Sequence, residues 1–383
     1  MSDSHGKRGG IGRRGFVQQG LWATALAKFG MYGADVQAQQ VFKGETLRIF
    51  TYAGAWGDQF TKNFAPLFKK VTGADIIVEL GWWDSIPKLK ASPAGKPAFD
   101  LIMTDATQGY PAIREGMFQK IDLAKVPNAR KFAPEAMDNW VVKEQWGVTW
   151  PDAAQTGIYN TDLVKQKPKG WKDLLDAKFN AKLGMYNSFY FSLFTFACMK
   201  VDMEGKAGTA RALCNSNMAS VLDFAKDQSK RVKFWWPSSS DMALNLVQKN
   251  VQIGNIHSVD AFAPVRAKEP VAVFVPEQDR ASFQALWLIA KDTKKTALAT
   301  AAIDLFCSEA FQEIYASDGG FPTAIQSVAA KVAQKDKLWA SINPATPEQF
   351  KNVGYYPYDA YFKDWARISE TWDREVLRKP KKA

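Results

Sequence analysis

The chain has 383 residues, a formal net charge of +11, two histidines and three cysteines. This length accommodates two domains of ordinary size, whereas the scarcity of histidine excludes a histidine-rich zinc centre. The cysteines lack the short spacings of metal-binding or redox motifs. Basic residues are scattered, apart from the run at 378–382, so a nucleic-acid-binding surface is not indicated. We therefore expect no metal, no cofactor and no nucleic-acid partner.

Residues 1–38 have the features of a removable export signal. A basic head precedes a modestly apolar body at 21–34, and Val36 and Ala38 occupy the positions that a signal peptidase reads. The RRGF segment at 13–16 resembles the twin-arginine signal, although the general export route and a disordered basic tail stay open as alternatives. The sequence predicts cleavage near Ala38 and a soluble periplasmic product, because no later stretch reaches the ~20 apolar residues that span a bilayer.

Strand and helix patterns alternate in the first part of the remaining chain. Leu47–Tyr52, Asp75–Leu80 and Phe99–Met103 are short apolar runs typical of buried strands. Between the first two, apolar residues recur at helical spacing until Gly73, which predicts that a helix ends there. After the third run, Asp105 lies in a typical helix N-cap region. Successive units of this kind predict a mostly parallel α/β sheet with helices on both faces.

A second α/β set follows a predicted domain crossing at Gln145–Tyr159, where strand-like residues are interrupted by Pro151. An apolar helix begins at Phe189, and Phe283–Ala290 is predicted to cross back before a long helix at Thr296–Ala316. The strands of the second set are predicted at Lys182–Tyr186, Val232–Trp236, Val251–Ile256 and Val271–Val275. We therefore predict two lobes, one formed by residues 39–151 with 286–383 and the other by residues 152–285.

The predicted strand ends carry aromatic and polar side chains. In open α/β sheets, ligands bind beyond the carboxyl ends of the strands, and aromatic rings there can stack on an organic ligand or make cation–π contacts with it. The candidate ligand-binding residues at these ends and in the first crossing are Tyr52, Trp56, Trp82, Trp83, Asp84, Thr104, Asp105, Trp150, Asn187, Tyr190, Trp235, Trp236, His257 and Asp260.

The candidates also have structural interpretations. Strand alternation places one ring of each adjacent tryptophan pair in the core. Asp105 and Asp260 can serve as helix N-caps, and His257 at a strand exit can be a hydrogen-bonded structural residue. Trp56 follows a glycine in a predicted loop, which favours an exposed ring.

Two motifs, REGMFQKID at 114–122 and GGFPT at 319–323, accompany the strand segments LRIFTY and FDLIMTD. In this order they resemble the extracellular solute-binding proteins of ABC importers, in particular the spermidine/putrescine-binding branch. The resemblance covers Leu47–Gln326. It implies a type II periplasmic binding protein fold, whose two α/β lobes close around a ligand in the cleft between them. It also implies a monomeric, non-enzymatic protein that delivers a small-molecule solute to a membrane permease.

The chain departs from that branch where the branch places ligand-binding carboxylates in the second lobe. The corresponding segments are Asn187–Tyr190 and Ser282–Ala285, which contain no acidic residue. A desolvated diamine or triamine needs paired negative charges, because an unpaired buried charge costs several kcal/mol. A more neutral, aromatic or singly charged amine compound therefore fits better than spermidine or putrescine.

Two other functions stay open from the sequence. An exported lyase or oxidoreductase is one, although the chain beyond the predicted export signal contains no GxGxxG, CxxC or CxxCH motif. An iron(III)-binding protein of the same fold is the other, with Tyr355-Tyr356 as the only adjacent tyrosine pair. The cysteines are expected to be buried thiols, and a disulfide between Cys198 and Cys214 is possible in an oxidising compartment.

Overall fold

The structure is a computed structural model that describes residues 41–176 and 182–378. The predicted export signal at residues 1–38 lies outside the described residues. No helix within the described ranges is long and apolar enough to cross a membrane.

Eleven strands form one hydrogen-bonded sheet in the described chain. The strands are β1 (Thr46–Tyr52), β2 (Asp75–Gly81), β3 (Leu101–Asp105), β4 (Phe118–Gln119), β5 (Gly147–Asn160), β6 (Leu183–Tyr186), β7 (Val232–Trp236), β8 (Ile253–His257), β9 (Val271–Phe274), β10 (Ala281–Ala290) and β11 (Gly354–Tyr355). The α/β strands predicted from the sequence are confirmed, with boundary differences of a few residues.

The strand order is β2-β1-β3-β10-β5-β8-β6-β7, with β4 and β11 paired to β10 and β9 paired to β5. β1 runs parallel to β2 and β3, and β6 runs parallel to β7 and β8. The long strands β5 and β10 pair antiparallel with each other and separate these two parallel sets. Each set therefore forms one half of the sheet, and the antiparallel pair joins the halves.

Strand β5 passes through both halves without a break. Its first part pairs with β10, and Gln155–Tyr159 pairs with β8. The predicted interruption at Pro151 is a local irregularity, because Pro151 lies opposite Gln284, where the register with β10 shifts. Proline has no N–H to contribute to the ladder, so the strand continues with one weakened position.

Helices connect and cover the strands. They are α1 (Ala55–Gln59), α2 (Ala65–Thr72), α3 (Ser85–Lys90), α4 (Ala106–Arg114), α5 (Pro134–Met137), α6 (Trp140–Lys143), α7 (Phe189–Met203), α8 (Ala210–Ser216), α9 (Met218–Gln228), α10 (Ser239–Val247), α11 (Ser258–Arg266), α12 (Thr296–Phe306), α13 (Glu309–Gly319), α14 (Gln326–Lys335), α15 (Lys337–Ile342), α16 (Pro347–Asn352), α17 (Tyr358–Lys363) and α18 (Trp365–Thr371). A π-helical turn, Phe60–Phe64, joins α1 to α2, and a second π-helical turn, Trp372–Val376, follows α18. Gly73 ends α2 in the left-handed conformation at φ 78°, as the sequence predicts.

An aromatic core fills the space behind β5 and β10. The rings of Trp150 and Trp287 lie with their centroids 6.0 Å apart, and Phe306 lies 4.6 Å from Trp150. Phe60 contacts Trp287 at 5.3 Å. All four side chains are fully buried, and burial of large rings contributes ~2 to 3 kcal/mol each. This core fixes the antiparallel pair against α12 and the first π-helical turn.

The C-terminal helices pack on the second half of the sheet. Trp372 lies 5.6 Å from Trp235 of β7 and donates its indole N–H to the carbonyl oxygen of Asn187 at 2.8 Å. Lys226 of α9 pairs with Glu375 at 2.8 Å. The predicted lobe division assigned the whole of 286–383 to the first lobe. These contacts instead join the C-terminal segment to the second half of the sheet. The exact lobe limits stay a prediction.

Three cysteines, Cys198, Cys214 and Cys307, are buried free thiols. The disulfide considered for Cys198 and Cys214 is absent from the structure. Burial raises the pKa of the Cys214 thiol to about 12, so the thiol stays protonated and unreactive near neutral pH.

Arg211 attaches the segment around β11 to the second half. Its guanidinium donates to the carbonyl oxygen of Tyr355 at 2.7 Å and to that of Arg280, and it lies 5.2 Å from the centre of the Phe194 ring. Hydrogen bonds from a charged donor to buried carbonyls are stronger than average. One side chain therefore joins α8, the start of β10 and β11.

Substituting Arg211→Met should lower the free energy of unfolding by ~2 kcal/mol or more, because two carbonyl groups lose their donor. Urea denaturation followed by circular dichroism measures this change. Arg367→Met is the matched control, since its ion pair with Asp364 is exposed and such pairs contribute less than ~1 kcal/mol. Equal stability of the two variants would contradict the anchoring role.

Candidate functional site

The carboxyl ends of the two parallel strand sets meet at Phe283 of β10. Tyr52 ends β1, and its ring centroid lies 6.3 Å from that of Phe283. His257 ends β8 and lies 6.4 Å from Phe283 on the other side. Because ligands in such sheets bind beyond the carboxyl ends of the strands, this edge is the candidate site.

The first half contributes a wall of three aromatic rings. Tyr52 stacks on Trp82 with centroids 5.7 Å apart. Trp56, from α1, meets Trp82 edge-on at 6.0 Å and contacts Phe283 at 6.0 Å. Trp56 is buried, whereas Trp82 is 48% exposed. The wall therefore runs from the core to solvent.

The second half contributes Tyr186, Tyr190, Trp236 and His257. Tyr186, at the end of β6, stacks on Trp236 with centroids 4.3 Å apart and meets His257 edge-on at 5.4 Å. Trp83, from the first half, contacts Tyr190 at 6.1 Å. We call the set Tyr52, Trp56, Trp82, Trp83, Tyr186, Tyr190, Trp236, His257 and Phe283 the aromatic cleft.

Asp105 caps α4 at the inner end of the aromatic cleft. Its carboxylate accepts hydrogen bonds from the Gln108 backbone N–H at 3.1 Å and from the Thr107 hydroxyl, which confirms the N-cap interpretation. Its own backbone N–H donates to the Tyr52 hydroxyl oxygen at 2.9 Å. Burial raises the pKa of the Asp105 carboxyl. The carboxylate is therefore costly to keep ionised in this position.

Asp105 lies within electrostatic range of tyrosines from both halves. Burial is the main reason that the pKa values of Tyr186, Tyr190 and Tyr358 are raised, and the charge of Asp105 raises each of them further. In the part of the chain that the structure describes, no lysine or arginine pairs with Asp105. A cationic ligand group would therefore be the favourable neighbour for this carboxylate.

His257 and Asp260 lie beside each other at the start of α11. The imidazole contacts the Tyr190 hydroxyl through Nε2 at 3.5 Å and the Ser239 hydroxyl through Nδ1 at 3.2 Å. Burial lowers the pKa of His257 to about 3, so the imidazole is neutral. Burial raises the pKa of Asp260 to about 6, although the Ser239 hydroxyl partly offsets this. The pair supplies polar groups without a fixed positive charge.

Three further candidates border the aromatic cleft. Asp84 accepts from the backbone N–H of Trp82 at 3.0 Å and pairs with Lys88 at 2.6 Å; its pKa is lowered, mainly by the Lys88 ammonium. Thr104 is fully buried beside the Tyr52 hydroxyl. Asn187 follows β6, and its backbone N–H donates to the carbonyl oxygen of Trp236 at 3.1 Å. Their side chains stay predicted ligand contacts.

Two predicted candidates lie away from the aromatic cleft. Trp150 is fully buried in the core behind β5, 4.6 Å from Phe306. Trp235 points to the opposite face of β7 from Trp236 and packs on Trp372, as strand alternation requires. We leave both residues out of the proposed site. Trp82 and Trp83 do not alternate in this way, because β2 ends at Gly81 and both rings follow the strand.

Sequence reasoning missed Tyr186, Phe283 and Asp152. Tyr186 is the last residue of a predicted strand, so the rule that selected Tyr52 would also have found it. Phe283 carries no local signal, since its importance comes from contacts with both halves. Asp152 lies within a strand that reads as apolar, and its carboxyl accepts from the Trp56 indole N–H at 3.0 Å.

A metal site finds no support in the described residues. Residues 41–176 and 182–378 contain no group of three or more His, Cys, Asp or Glu residues that could hold a metal ion. Of the two tyrosines in the iron(III) alternative, Tyr355 donates to the Ala136 carbonyl oxygen at 3.4 Å, whereas Tyr356 packs on Tyr190. Burial raises the pKa of both phenols well above the usual range, which disfavours the phenolate form.

Comparison with known proteins identifies the family to which this architecture belongs. The family model for bacterial extracellular solute-binding proteins matches residues 55–341. The chain is 20% identical to the spermidine/putrescine-binding periplasmic protein of Salmonella typhimurium over 343 residues, which are 86% of this chain and 93% of the relative.

Solved structures share the fold at low identity. An ABC transporter substrate-binding protein from Bradyrhizobium japonicum USDA 110 has a TM-score of 0.72 at 15% identity, covering 87% of this chain and 100% of the other. A spermidine/putrescine ABC transporter substrate-binding protein from Streptococcus pneumoniae, in complex with calcium and HEPES, has a TM-score of 0.66 at 17% identity, covering 86% and 100%. The predicted type II periplasmic binding protein fold is confirmed.

The fold and the matched family together define an extracellular solute-binding protein. The chain belongs to the bacterial extracellular solute-binding protein family.

The buried, neutral state of His257 can be tested by proton NMR. We expect the His257 imidazole signal to stay constant from pH 8 down to about pH 4, because desolvation disfavours the imidazolium. An unperturbed histidine titrates near pH ~6.5. The substitution His257→Asn identifies the signal by removing it. A His257 midpoint between pH 6 and 7 would show that the side chain is solvated.

Proposed function

We propose that this substrate-binding protein captures a small organic cation in the aromatic cleft and delivers it to a membrane permease. The single observation that carries the proposal is the desolvated Asp105 carboxyl, which lies within electrostatic range of tyrosines of both halves and has no cationic partner in the described chain. Aromatic faces and a carboxylate together favour an ammonium group.

The charges around the aromatic cleft argue against an anionic ligand group. None of its nine members is a lysine or arginine, and its one histidine is neutral. A ligand carboxylate would be desolvated there without a counter-ion, at a cost of several kcal/mol. Similar proteins differ on this point. The Salmonella typhimurium relative is named for spermidine and putrescine, which carry only amino groups, whereas a solved structure of the same fold is described as a GABA receptor, and γ-aminobutyrate carries a carboxylate.

The number of charges on the solute follows from the acidic groups near the aromatic cleft. Asp105 in the first half and Asp260 in the second both raise the pKa of Tyr186. Asp84 is already paired with Lys88. One or two positive charges can therefore be paired, and we propose a monoamine or a short diamine with an apolar or aromatic body.

Binding is proposed to close two lobes around the solute. The first lobe carries Tyr52, Trp56, Trp82 and Asp105, and the second carries Tyr186 and the strand ends beside it. We place the C-terminal helices from Tyr358 onward with the second lobe, because Trp372 and Glu375 pack there. A solute that contacts both lobes stabilises the closed form by its differential contacts. We propose that the protein acts as a periplasmic monomer without catalytic activity.

Substituting Trp82→Ala should weaken amine binding about 10-fold, because the solute loses a cation–π face. Isothermal titration calorimetry with tyramine, putrescine, spermidine and γ-aminobutyrate measures the effect, and we expect tyramine and putrescine to bind more tightly than the triamine spermidine or the carboxylate-bearing γ-aminobutyrate. Trp146→Ala is the matched control, since Trp146 lies outside the aromatic cleft under Lys120. Binding of γ-aminobutyrate alone would contradict the proposed cation selectivity.

Substituting Asp105→Asn should weaken binding of the same amines about 100-fold, because the buried ammonium group loses its counter-ion. The thermal midpoint should stay constant or rise, since asparagine can still cap α4 and the cost of a buried charge is removed. Asp122→Asn is the control, because Asp122 also caps a helical turn but is exposed. Unchanged amine affinity in Asp105→Asn would contradict the proposal that Asp105 pairs with the bound cation.

A further inference from the structure

Asp152 connects the aromatic cleft to the strand that joins the halves. We infer that the carboxyl of Asp152 is a positioning group that holds the Trp56 indole in the wall of the aromatic cleft. Asp152 itself is fully buried behind Trp56, so it acts through that ring. The consequence for solute binding rests on the proposed function, whereas the positioning itself does not.

The hydrogen bonds define how Asp152 acts. Its Oδ2 accepts from the Trp56 indole N–H at 3.0 Å and from the Tyr315 hydroxyl at 3.2 Å. Tyr315 also lies 3.4 Å from Oδ1. Both donors are buried, so neither can exchange its partner for water without moving. One carboxyl therefore fixes the direction of two side chains.

Apolar packing alone leaves the orientation of Trp56 less defined. The indole has Tyr52 and Trp82 on its cleft side at 5.9 and 6.0 Å, and Phe321 behind it at 5.4 Å. Phe321 in turn stacks on Tyr315 at 4.1 Å. Burial energy is non-directional, whereas a hydrogen bond requires the N–H to point at its acceptor. The Asp152 carboxyl selects one orientation among those that packing permits.

The position of Asp152 in β5 connects this contact to both halves of the sheet. Asp152 lies in β5, which pairs with β10 in the first half and with β8 in the second. Two residues further on, the Ala154 backbone N–H donates to the Ser258 hydroxyl at the start of α11, at 2.9 Å. Trp56, in the first half, is therefore hydrogen-bonded to β5, the strand that continues into the second half.

The strength of this tie varies near neutral pH. Burial raises the pKa of Asp152 to about 7, although the Trp56 and Tyr315 donors partly offset it. The ionised carboxyl accepts from both donors. The protonated carboxyl carries an O–H donor of its own beside the Trp56 N–H and the Tyr315 hydroxyl, which are both donors. It therefore accepts from Trp56 less strongly and orients the indole less firmly. Trp56 should therefore be best ordered above pH 7.

The ionisable groups on the surrounding elements do not compete for Asp152. Tyr315 of α13 stays protonated, because burial and then the Asp152 charge raise its pKa. Asp58 of α1 pairs with Lys62 at the surface. Asp304 of α12 accepts from Asn128 at 2.9 Å, and Asp260 of α11 lies beside Ser239. The remaining acids of α13 are the surface residues Glu309, Glu313 and Asp318.

The test needs no ligand for its first measurement. In tryptophan-15N-labelled full-length protein, the Trp56 indole resonance is identified by its loss in Trp56→Phe and followed from pH 5.5 to 8.5. We expect it to shift with a midpoint near pH 7, and we expect Asp152→Asn to abolish that shift. Trp146, which is bonded to the surface residue Glu144, serves as the internal control. If the Trp56 chemical shift in the wild-type protein does not change over this pH range, the inference is overturned.

The variant Tyr315→Phe separates positioning from general packing and guards against misfolding of Asp152→Asn. It removes one donor from the carboxylate but keeps the Trp56 hydrogen bond. The Trp56 titration should persist and move to a higher pH, because the ionised form loses support. If the titration instead vanishes in Tyr315→Phe, Trp56 reports on packing and the inference is wrong.

Affinity provides the second measurement, with putrescine, spermidine and tyramine as probes. Asp152→Asn and Trp56→Phe should each weaken the amine that binds about 10-fold, and the double variant should be no weaker than either alone. Wild-type affinity in Asp152→Asn would overturn the positioning role. If no amine binds the wild-type protein, the proposed function fails, and the NMR titration alone decides the role of Asp152.

Discussion

The candidate site depends on the antiparallel pairing of β5 with β10. Each parallel set places its carboxyl ends at one edge, but only this pair brings the two edges together. The register sets Ala285 of β10 opposite both Asp105 and Trp150, so Phe283 extends just beyond the last residue of β3. There it contacts Tyr52 on one side and His257 on the other. The core behind the pair, built on Trp150 and Trp287, keeps that register.

Desolvation then determines the chemistry of the edge. Rings from both halves exclude water from the groups between them, and a low-dielectric setting penalises any charge without a partner. Asp105, Asp152 and Asp260 all have raised pKa values with burial as the main cause. Their surroundings differ, because Asp152 accepts hydrogen bonds from Trp56 and Tyr315, whereas Asp105 lies within electrostatic range of tyrosines of both halves. Under the proposed function, the carboxyl without a cationic partner is the one that selects the solute.

The sequence predicts the strand ends well and the contacts between them poorly. The strand-end rule finds Tyr52, Trp82 and Trp236, and alternation separates Trp236 from Trp235, because both rules depend on neighbours in the chain. Trp150 looks equivalent in the sequence but lies in the core behind β5. Both faces of β5 are covered, so the pattern of apolar residues does not show which side chains point toward the site. Asp152 gains its role from Trp56, 96 positions away, and Phe283 depends in part on Tyr52, in a distant part of the chain. The packing of the C-terminal segment on β7 and α9 likewise depends on residues far apart in the chain, and the lobe limits stay a prediction.

The buried groups of the site also have opposing effects on stability. His257 has a lowered pKa, so its contribution is complete above about pH 6.5 and is lost as the pH falls toward 3. Asp152 and Asp260 have raised pKa values, so the folded state binds their protons more tightly than the unfolded state. Their contribution is complete below about pH 4 and is lost as the pH rises toward 7 and 6, respectively. The unliganded protein at neutral pH therefore carries the cost of ionised, desolvated carboxyls. A bound cation would lower the pKa of Asp105 and offset part of that cost, so solute binding and lobe closure would stabilise the fold through the same carboxylate.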